Sequence, residues 1–170
     1  MERSCEQDGK YRYLLNIPIG NESRKTLFIL CNPSTANASR DDPTTGNLKK
    51  WARGNGIGIV IVANLYAYRS PHPFALSHLS EAEAVGHKNM AVITRAVSEA
   101  DEVIVAWGNP PAGRSAKEFE KRTQEVLTVL HQRHEIVYCV GTTNGGHPRH
   151  PRVWYMRKNC RKVPFLRLPD

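Results

Sequence analysis

The chain has 170 residues, with 24 Lys plus Arg against 16 Asp plus Glu, a net charge of +8 and a pI near 9.5. That length fits one domain and leaves no room for a second at the usual ~100–200 residues each. The basic excess disfavours a calcium buffer or other binder of cations and favours a polyanionic partner: nucleic acid, a nucleotide or an anionic surface. With 40% apolar and 24% charged residues the balance is that of an ordinary globular domain. A chain of this size can bury roughly 70% of its unfolded surface, so it needs neither metal nor disulfide to fold.

No stretch approaches the ~18 consecutive apolar residues of a transmembrane helix. The longest apolar run, residues 57–63, has the length of a strand. The N-terminal segment Met1-Glu2-Arg3-Ser4-Cys5-Glu6 lacks the apolar core of a signal peptide, and the expected compartment is the cytoplasm. The four cysteines, at 5, 31, 139 and 160, form no C-x-x-C pair and match no zinc or iron–sulfur spacing. No metal and no other cofactor is expected, and the thiols read as reduced.

The chain opens with two short apolar runs, 11–18 and 26–31, separated by Gly20-Asn21-Glu22-Ser23-Arg24-Lys25, a pattern that predicts a β-hairpin. A polar loop comes next, then a short helix over 45–53 that ends at Gly54-Asn55-Gly56. The β-branched run 57–63 reads as a strand buried on both faces. Residues 64–73 form a loop. A helix is predicted over 80–100, with Ser80 as N-cap and Glu83 completing a capping box. Residues 102–106 form a further buried strand, 115–133 a second long helix, and 136–140 another internal strand. The tail, 142–170, is loop-rich and basic. Strands alternating with helices predict a three-layer α/β/α domain with a mostly parallel central sheet and an N-terminal β-hairpin. It is read as one domain over 1–170, with a core of about 11–165 and a basic C-terminal tail at 147–170.

In such sheets ligands sit beyond the carboxyl ends of the strands, which directs attention to four segments. The first is Asn32-Pro33-Ser34-Thr35-Ala36 with Asp41-Asp42-Pro43-Thr44. Pro33 keeps Asn32 out of the helical region, so its amide can be held to orient a water or ligand group, or can close an Asx-turn on its own backbone. Asp41 or Asp42 is placed to cap the next helix. The second is Asn64-Leu65-Tyr66-Ala67-Tyr68-Arg69. Asn64 offers donor and acceptor to a base edge, Tyr66 and Tyr68 can stack on a base or pack in the core, and Arg69 can hold a phosphate or stay a solvated charge. The third, Trp107-Gly108-Asn109-Pro110-Pro111-Ala112-Gly113-Arg114-Ser115, resembles a phosphate loop in spacing only. Its two prolines remove amides that a phosphate cradle needs, which leaves Arg114 and the helix start at Ser115 as a phosphate contact. The fourth, residues 141–152, carries His147, His150, Arg149 and Arg152 in a glycine-rich loop. Histidine there can stabilise a developing anion and the arginines can neutralise phosphates. From His147 onward, basic residues stand at 149, 152, 157, 158, 161, 162 and 167.

Taken in order, Asn32-Pro33-Ser34-Thr35-Ala36, Asp42-Pro43-Thr44, Asn64-Leu65, Ala106-Trp107-Gly108 and His150-Pro151 resemble a bacterial and phage family of domains. More distantly they resemble the uracil-DNA glycosylase superfamily. The resemblance implies a uracil-DNA glycosylase-like fold and hydrolysis of the N-glycosidic bond of a damaged or modified base. It further implies DNA-repair chemistry on a flipped base. It makes Asn32 the holder of the attacking water and His150, ahead of His147, the support of the leaving base. Asn64 would read the base edge, with Tyr66, Tyr68 and Trp107 around the base. Arg69, Arg114, Ser115, Arg149 and Arg152 would lie along the nucleic-acid backbone. The expected partner of this monomer is DNA or another nucleic acid, with free nucleotide as the alternative and no membrane. Two other readings stay open: a nucleobase-binding module without turnover, and a nucleotide-level hydrolase or transferase of the same fold.

Overall fold

The computed structural model describes residues 2–72, 74–156 and 160–165. Among these residues seven strands share one sheet: β1 (Ser4–Asp8), β2 (Tyr11–Pro18), β3 (Lys25–Leu30), β4 (Ile59–Asn64), β5 (Glu102–Val105), β6 (Tyr138–Cys139) and β7 (Val163–Pro164). Their order is β1-β2-β4-β3-β5-β6-β7. The four central strands β4, β3, β5 and β6 run parallel, and β1, β2 and β7 add antiparallel edges. Four helices, α1 (Pro43–Arg53), α2 (Glu81–Val85), α3 (Asn89–Glu99) and α4 (Ala116–His131), make the connections. The expected α/β class is the class observed. No helix among the described residues is long and apolar enough to cross a membrane.

The central strands are apolar at nearly every position because both faces are covered. Leu27, Ile29, Ile61, Ala63, Val103 and Val105 pack with α3 and α4 on one face. Phe28, Leu30, Val60, Val62, Ile104 and Ala106 pack with α1 and a 3₁₀ segment at Pro151–Met156 on the other. The period of two puts alternate residues on opposite faces, so a continuous aliphatic run builds two cores at once. On the α1 face, Trp51 and Trp154 lie 5.3 Å apart beside Phe28, and both indoles are satisfied by backbone carbonyls, of Cys160 and Arg149 respectively.

The order of strands creates a switch point. From β3 the chain crosses through α1 to β4 on one side. It then returns past β3 through α2 and α3 to β5 on the other side, and continues through α4 to β6. Right-handed crossovers in opposite directions require helices on opposite faces. The carboxyl ends of β3 and β5, which are neighbours, therefore feed loops that diverge, and a crevice opens between them.

The structure corrects several expectations. The N-terminal hairpin is formed by β1 and β2, joined at Gly9 with φ +52°, and not by the runs 11–18 and 26–31. β4 lies between β2 and β3, because β3 is buried on both faces and gains two parallel neighbours there. The helix expected over 80–100 is split at Gly86, although the Ser80–Glu83 capping box forms as read. Gly86 has φ +82°, and a Cβ there would lie 2.9 Å from the ring of Tyr11, so the chain can pass the stacked Tyr11 and Tyr13 only as glycine. The last internal strand is shortened to Tyr138–Cys139, with Phe165 N–H donating to the Val137 carbonyl at its edge.

Arg122, buried on α4, shows how the layers are tied. Its guanidinium donates to the Leu65 carbonyl at 2.8 Å and to Asn89 Oδ1 at 2.5 Å, and it pairs with Glu125 at 3.1 Å. Asn89 in turn donates to the Asn64 carbonyl at 3.0 Å. Arg122→Ala leaves two buried acceptors without donors and is expected to lower stability by about 3 kcal/mol in urea unfolding. A loss smaller than about 0.5 kcal/mol, the range of a surface change, contradicts this tie.

Candidate functional site

At the switch point lies a cleft of about 170 Å³. Asn32 and Ser34 enter it from the loop after β3, Asp42 and Thr44 from the start of α1, His72 from the loop after β4, and His150 and Arg152 from the segment leading into the 3₁₀ turn. The first turn of α1 borders the cleft, so the positive end of that helix contributes to its potential. Two of the residues read from sequence as chemically active, Asn32 and His150, thus meet across one small opening, 118 positions apart in the chain.

Each is held by its surroundings. Asn32 Nδ2 donates to the carbonyls of Pro33 and Ser70 at 3.4 and 3.3 Å. Among the described residues no donor reaches its Oδ1, which can accept from a water. The Ser70 N–H donates to the Pro33 carbonyl at 2.9 Å, so the loop carrying His72 is fastened to the loop carrying Asn32. His150 packs against Gly108 after β5: a Cβ at Gly108, whose φ is +77°, would lie 3.2 Å from His150 Cβ. The Gly108 N–H donates to the Pro148 carbonyl at 2.8 Å, and Trp154 fixes the Arg149 carbonyl. Burial lowers the His150 pKa from 6.5 to about 4, aided by the charge of Arg152 and opposed by that of Asp42. Its Nδ1 accepts from the Arg152 N–H at 3.3 Å, so the neutral ring carries its hydrogen on Nε2.

Asp42 lines the cleft and caps α1. Its Oδ1 accepts from the Thr45 N–H at 2.8 Å, Thr45 Oγ1 accepts in return from the Asp42 N–H at 2.9 Å, and Asp42 Oδ2 accepts from the Ala36 N–H at 3.3 Å. Capping by Asp41 or Asp42 was legible in the sequence. Its position on the cleft wall was not, and neither were Ser34, Thr44, Ser70 and His72. The signal for His72 was its place in a strand-end loop; no motif marked it.

Two of the arginines expected on a nucleic-acid backbone, Arg69 and Arg114, also bond backbone carbonyls of the chain. Arg69 donates to the carbonyls of Ser34 and Thr35, both at 2.9 Å. Arg114 donates to the carbonyls of Leu76 and Leu79 at 2.7 and 2.6 Å and lies over the ring of Tyr66. All three nitrogens of the Arg69 guanidinium are engaged, whereas Arg114 donates through a single Nη. Ser115 is the N-cap of α4 in a capping box with Glu118, so the helix end is closed by its own side chains. Arg149 folds back over Gly141, and Arg152 is exposed at the cleft rim. Residues 157, 158 and 167 of the basic tail lie outside the described residues. The Lys162 ammonium pairs with Glu102.

The aromatic residues are also placed differently from expectation. Tyr66 and Trp107 are 1% and 2% exposed and belong to the α3–α4 core, on the far side of the sheet from the cleft. Tyr68 packs against the same core, edge-on to Tyr11. None of the three faces Asn32 and His150. Trp107 continues the odd positions of β5, which point away from α1. Beyond Asn64 the chain bends to α2, where the N–H groups of Ala67 and Tyr68 donate to the carbonyls of Val85 and Ala84, and both tyrosines go with it. The loop amides of Thr143 and Gly146 are bonded within their own hairpin, to the carbonyls of His147 and Thr143, and are not free to hold an anion. His147 lines a different cavity, beside α4.

Asn64 is sealed at 1% exposure and does not reach the cleft surface. As the residue two beyond Val62 on β4, it points to the α1 face, the side on which the cleft lies. Both atoms of its amide are buried with no partner among the described residues. A buried unpaired amide is costly and calls for an occupant, ligand or water. No group of three or more His, Cys, Asp or Glu is placed to hold a metal among the described residues. The thiols of Cys31 and Cys139 are buried, free and pushed up in pKa by that burial, which makes them poor nucleophiles.

A family model described as a protein of unknown function, DUF1643, matches residues 12–152. The match is not to the uracil-DNA glycosylase superfamily. No curated protein matches the chain, and no solved structure does.

This geometry has two measurable consequences. The unfolded chain binds the His150 proton near pH 6.5 and the folded chain near 4, so the contribution of this group to wild-type stability is greatest above 6.5 and falls as the pH drops towards 4. In urea unfolding at pH 7, 5.5 and 4, His150→Gln is expected to lose less stability than wild type; equal losses contradict a buried neutral ring. Asn64→Leu replaces two unpaired polar atoms by methyl groups with the same branching and heavy-atom count and is expected to raise stability by about 1 kcal/mol. A fall of that size contradicts an unpaired amide.

Proposed function

The chain belongs to the DUF1643 family, which carries no assigned function, and from its own cleft we propose that it hydrolyses the N-glycosidic bond of a damaged or modified base in DNA or a related nucleic acid. The observation that carries this reading is the meeting of Asn32 and a neutral, Nε2-protonated His150 across an opening too small for a whole nucleotide. Its volume falls below the ~300–1,000 Å³ of ordinary small-molecule sites, which suits one base or sugar fragment. A base inside a duplex must first leave the stack to enter such an opening.

The chemistry assigned to each residue rests on what it can supply. Asn32 Oδ1 accepts a hydrogen bond from a water and aims its oxygen at C1′. As the C1′–N bond lengthens, positive charge grows on the sugar and the bonding pair moves onto the base. The Asp42 carboxylate, fixed by the cap of α1, stabilises the cationic sugar. The Nε2–H of His150 donates to the departing base, and a ring whose pKa lies near 4 does so as a neutral donor throughout the physiological range. The water oxygen closes on C1′ and its proton passes to solvent. An amide is no general base, so turnover is slow beside a site with a free carboxylate at the water. The amide of Asn64, sealed beneath the cleft on the α1 face of β4, supplies no contact to the base in this arrangement. Arg152 at the rim is assigned a phosphate contact.

One observation favours a second reading, a nucleobase-binding module without turnover: both Asp42 oxygens are committed to the α1 cap and its neighbouring loop. The two separate in one assay. Oligonucleotides carrying uracil, hypoxanthine or alkylated bases are incubated with the protein and treated with alkali. The glycosidase reading expects strand breaks on at least one, abolished in Asn32→Ala and His150→Ala at unchanged melting temperature. Arg152→Ala is expected to weaken oligonucleotide binding and to reduce the slope of log K against log salt by about 1. Absence of breaks on every substrate, with salt-sensitive binding kept, replaces hydrolysis by binding alone.

A further inference from the structure

On the opposite face of the sheet lies a second and larger cavity, about 360 Å³, between α4 and the 141–150 hairpin. Its walls include Trp107, His147 and Phe165, and α4 brings the polar side chains of Glu120, Thr123 and Gln124 to it. From these residues we propose that the cavity is a binding site for guanine, free or in a nucleoside, separate from the Asn32–His150 cleft; that its occupant is a nucleobase rests on the nucleic-acid reading above.

Trp107 supplies the first observation. It is 2% exposed and forms part of the cavity wall, edge-on to Phe165 at 5.8 Å. Its Nε1–H is buried and has no acceptor among the described residues, whereas the indoles of Trp51 and Trp154 each donate to a carbonyl. Buried indole N–H groups are normally bonded, so this one calls for an occupant that brings an acceptor. The second observation is charge. In a chain of net +8, no Lys or Arg lines this cavity among the described residues, and its one ionised wall group is the Glu120 carboxylate. Glu120 takes part in no ion pair among those residues, although seven other carboxylates of the chain do. A phosphate would meet repulsion there. A ligand with N–H donors would be held.

Aromatic walls select a flat occupant, and the volume falls in the range of small-molecule sites. Among nucleobases the hydrogen-bonding pattern then discriminates. A carboxylate only accepts, so it pairs best with two adjacent donors. Guanine alone offers them, at N1–H and the exocyclic amine. Its opposite edge carries the acceptors O6 and N7, which can take the hydrogen of the Trp107 indole. Hypoxanthine keeps N1–H and loses the amine. Adenine, cytosine and uracil offer an acceptor beside a donor, which sets a lone pair against the carboxylate. The Glu120 carboxylate is assigned to the N1–H and amine edge of guanine and the Trp107 indole to its O6 and N7 edge.

The test is a titration of the full chain with guanosine, inosine, adenosine and guanosine 5′-monophosphate, read by tryptophan fluorescence and by melting temperature. The expected order of affinity is guanosine, then inosine, with adenosine not bound, and no gain from the phosphate. Glu120→Gln is expected to weaken guanosine at least tenfold at unchanged melting temperature of the free protein, since Glu120 is exposed. Trp107→Phe is expected to remove the fluorescence response and weaken binding. A double variant with Asn32→Ala and His150→Ala is expected to bind guanosine as wild type does. The proposal is overturned if no nucleoside binds, if adenosine binds as well as guanosine, or if Glu120→Gln binds unchanged. Loss of guanosine in the Asn32, His150 variant would move the ligand to the cleft and overturn it also. Loss of oligonucleotide cleavage in that variant, with guanosine binding kept, bears on the glycosidase reading alone.

Discussion

The irregular segment between β3 and α1 depends on arginine. A loop of this kind carries carbonyls that no ladder or helix satisfies, and buried carbonyls without donors are costly. Here Arg69 takes those of Ser34 and Thr35, Arg12 takes that of Ala36, and Arg3 takes those of Asn37 and Arg40 while pairing with Asp41. Arg12 is 2% exposed, and burial lowers its pKa to about 10, which still leaves it charged at neutral pH. Three cations, two from the β1–β2 hairpin and its lead-in and one from the loop after β4, thus hold one loop in a single shape. That loop carries Asn32 at one end and Asp42 at the other.

The cleft is a consequence of that rigidity. Because the loop is fixed, the Asp42 cap sits where α1 begins, and α1 begins beside the divergence of the β3 and β5 loops. His150 reaches the same point by a separate route, through the glycine at 108 and the anchoring of the 3₁₀ turn by Trp154. Two independently supported walls then face each other across a narrow gap. Such support is what a catalytic amide and a neutral imidazole need, since neither is strong in itself and both act by position. The 141–150 hairpin also contributes to both of these cavities. His150 at its end serves the cleft, and His147 within it lines the cavity beside α4.

The alternation of elements, the capping box at Ser80, the helix start at Ser115 and the end of α1 at Gly54 could be read from sequence because each rests on neighbouring residues. The convergence of Asn32 and His150 was also legible, through the rule that parallel sheets bind at their carboxyl ends. What escaped was long-range. The partner of β2 could not be read from its own pattern, since a strand run looks the same beside β3 or β4. The split at Gly86 depends on the rings of Tyr11 and Tyr13, 75 and 73 positions away. Above all, the positive charge was read as free for phosphate. Of the arginines so read, Arg69 and Arg114 also donate to backbone carbonyls 34 or more positions distant, as do Arg3, Arg12 and Arg122, for which no role was read, to carbonyls 24 or more positions distant. Nothing local distinguishes a structural arginine from a binding one. Trp107 was misplaced by one parity step of a strand, which sends a side chain through the sheet to the other core. The two tyrosines were misplaced by the bend of their loop towards α2, which no residue of the loop announces.

The central claim is that one base enters the cleft between Asn32 and His150. The direct measurement is a crystal structure with a single-stranded oligonucleotide carrying a 2′-fluoro nucleotide, whose C1′–N bond resists cleavage. The predicted result is the base inside the cleft, with His150 Nε2 within hydrogen-bond distance of a base acceptor and a water on Asn32 Oδ1 facing C1′. An ordered nucleotide whose base lies elsewhere, with the cleft filled by solvent alone, contradicts it.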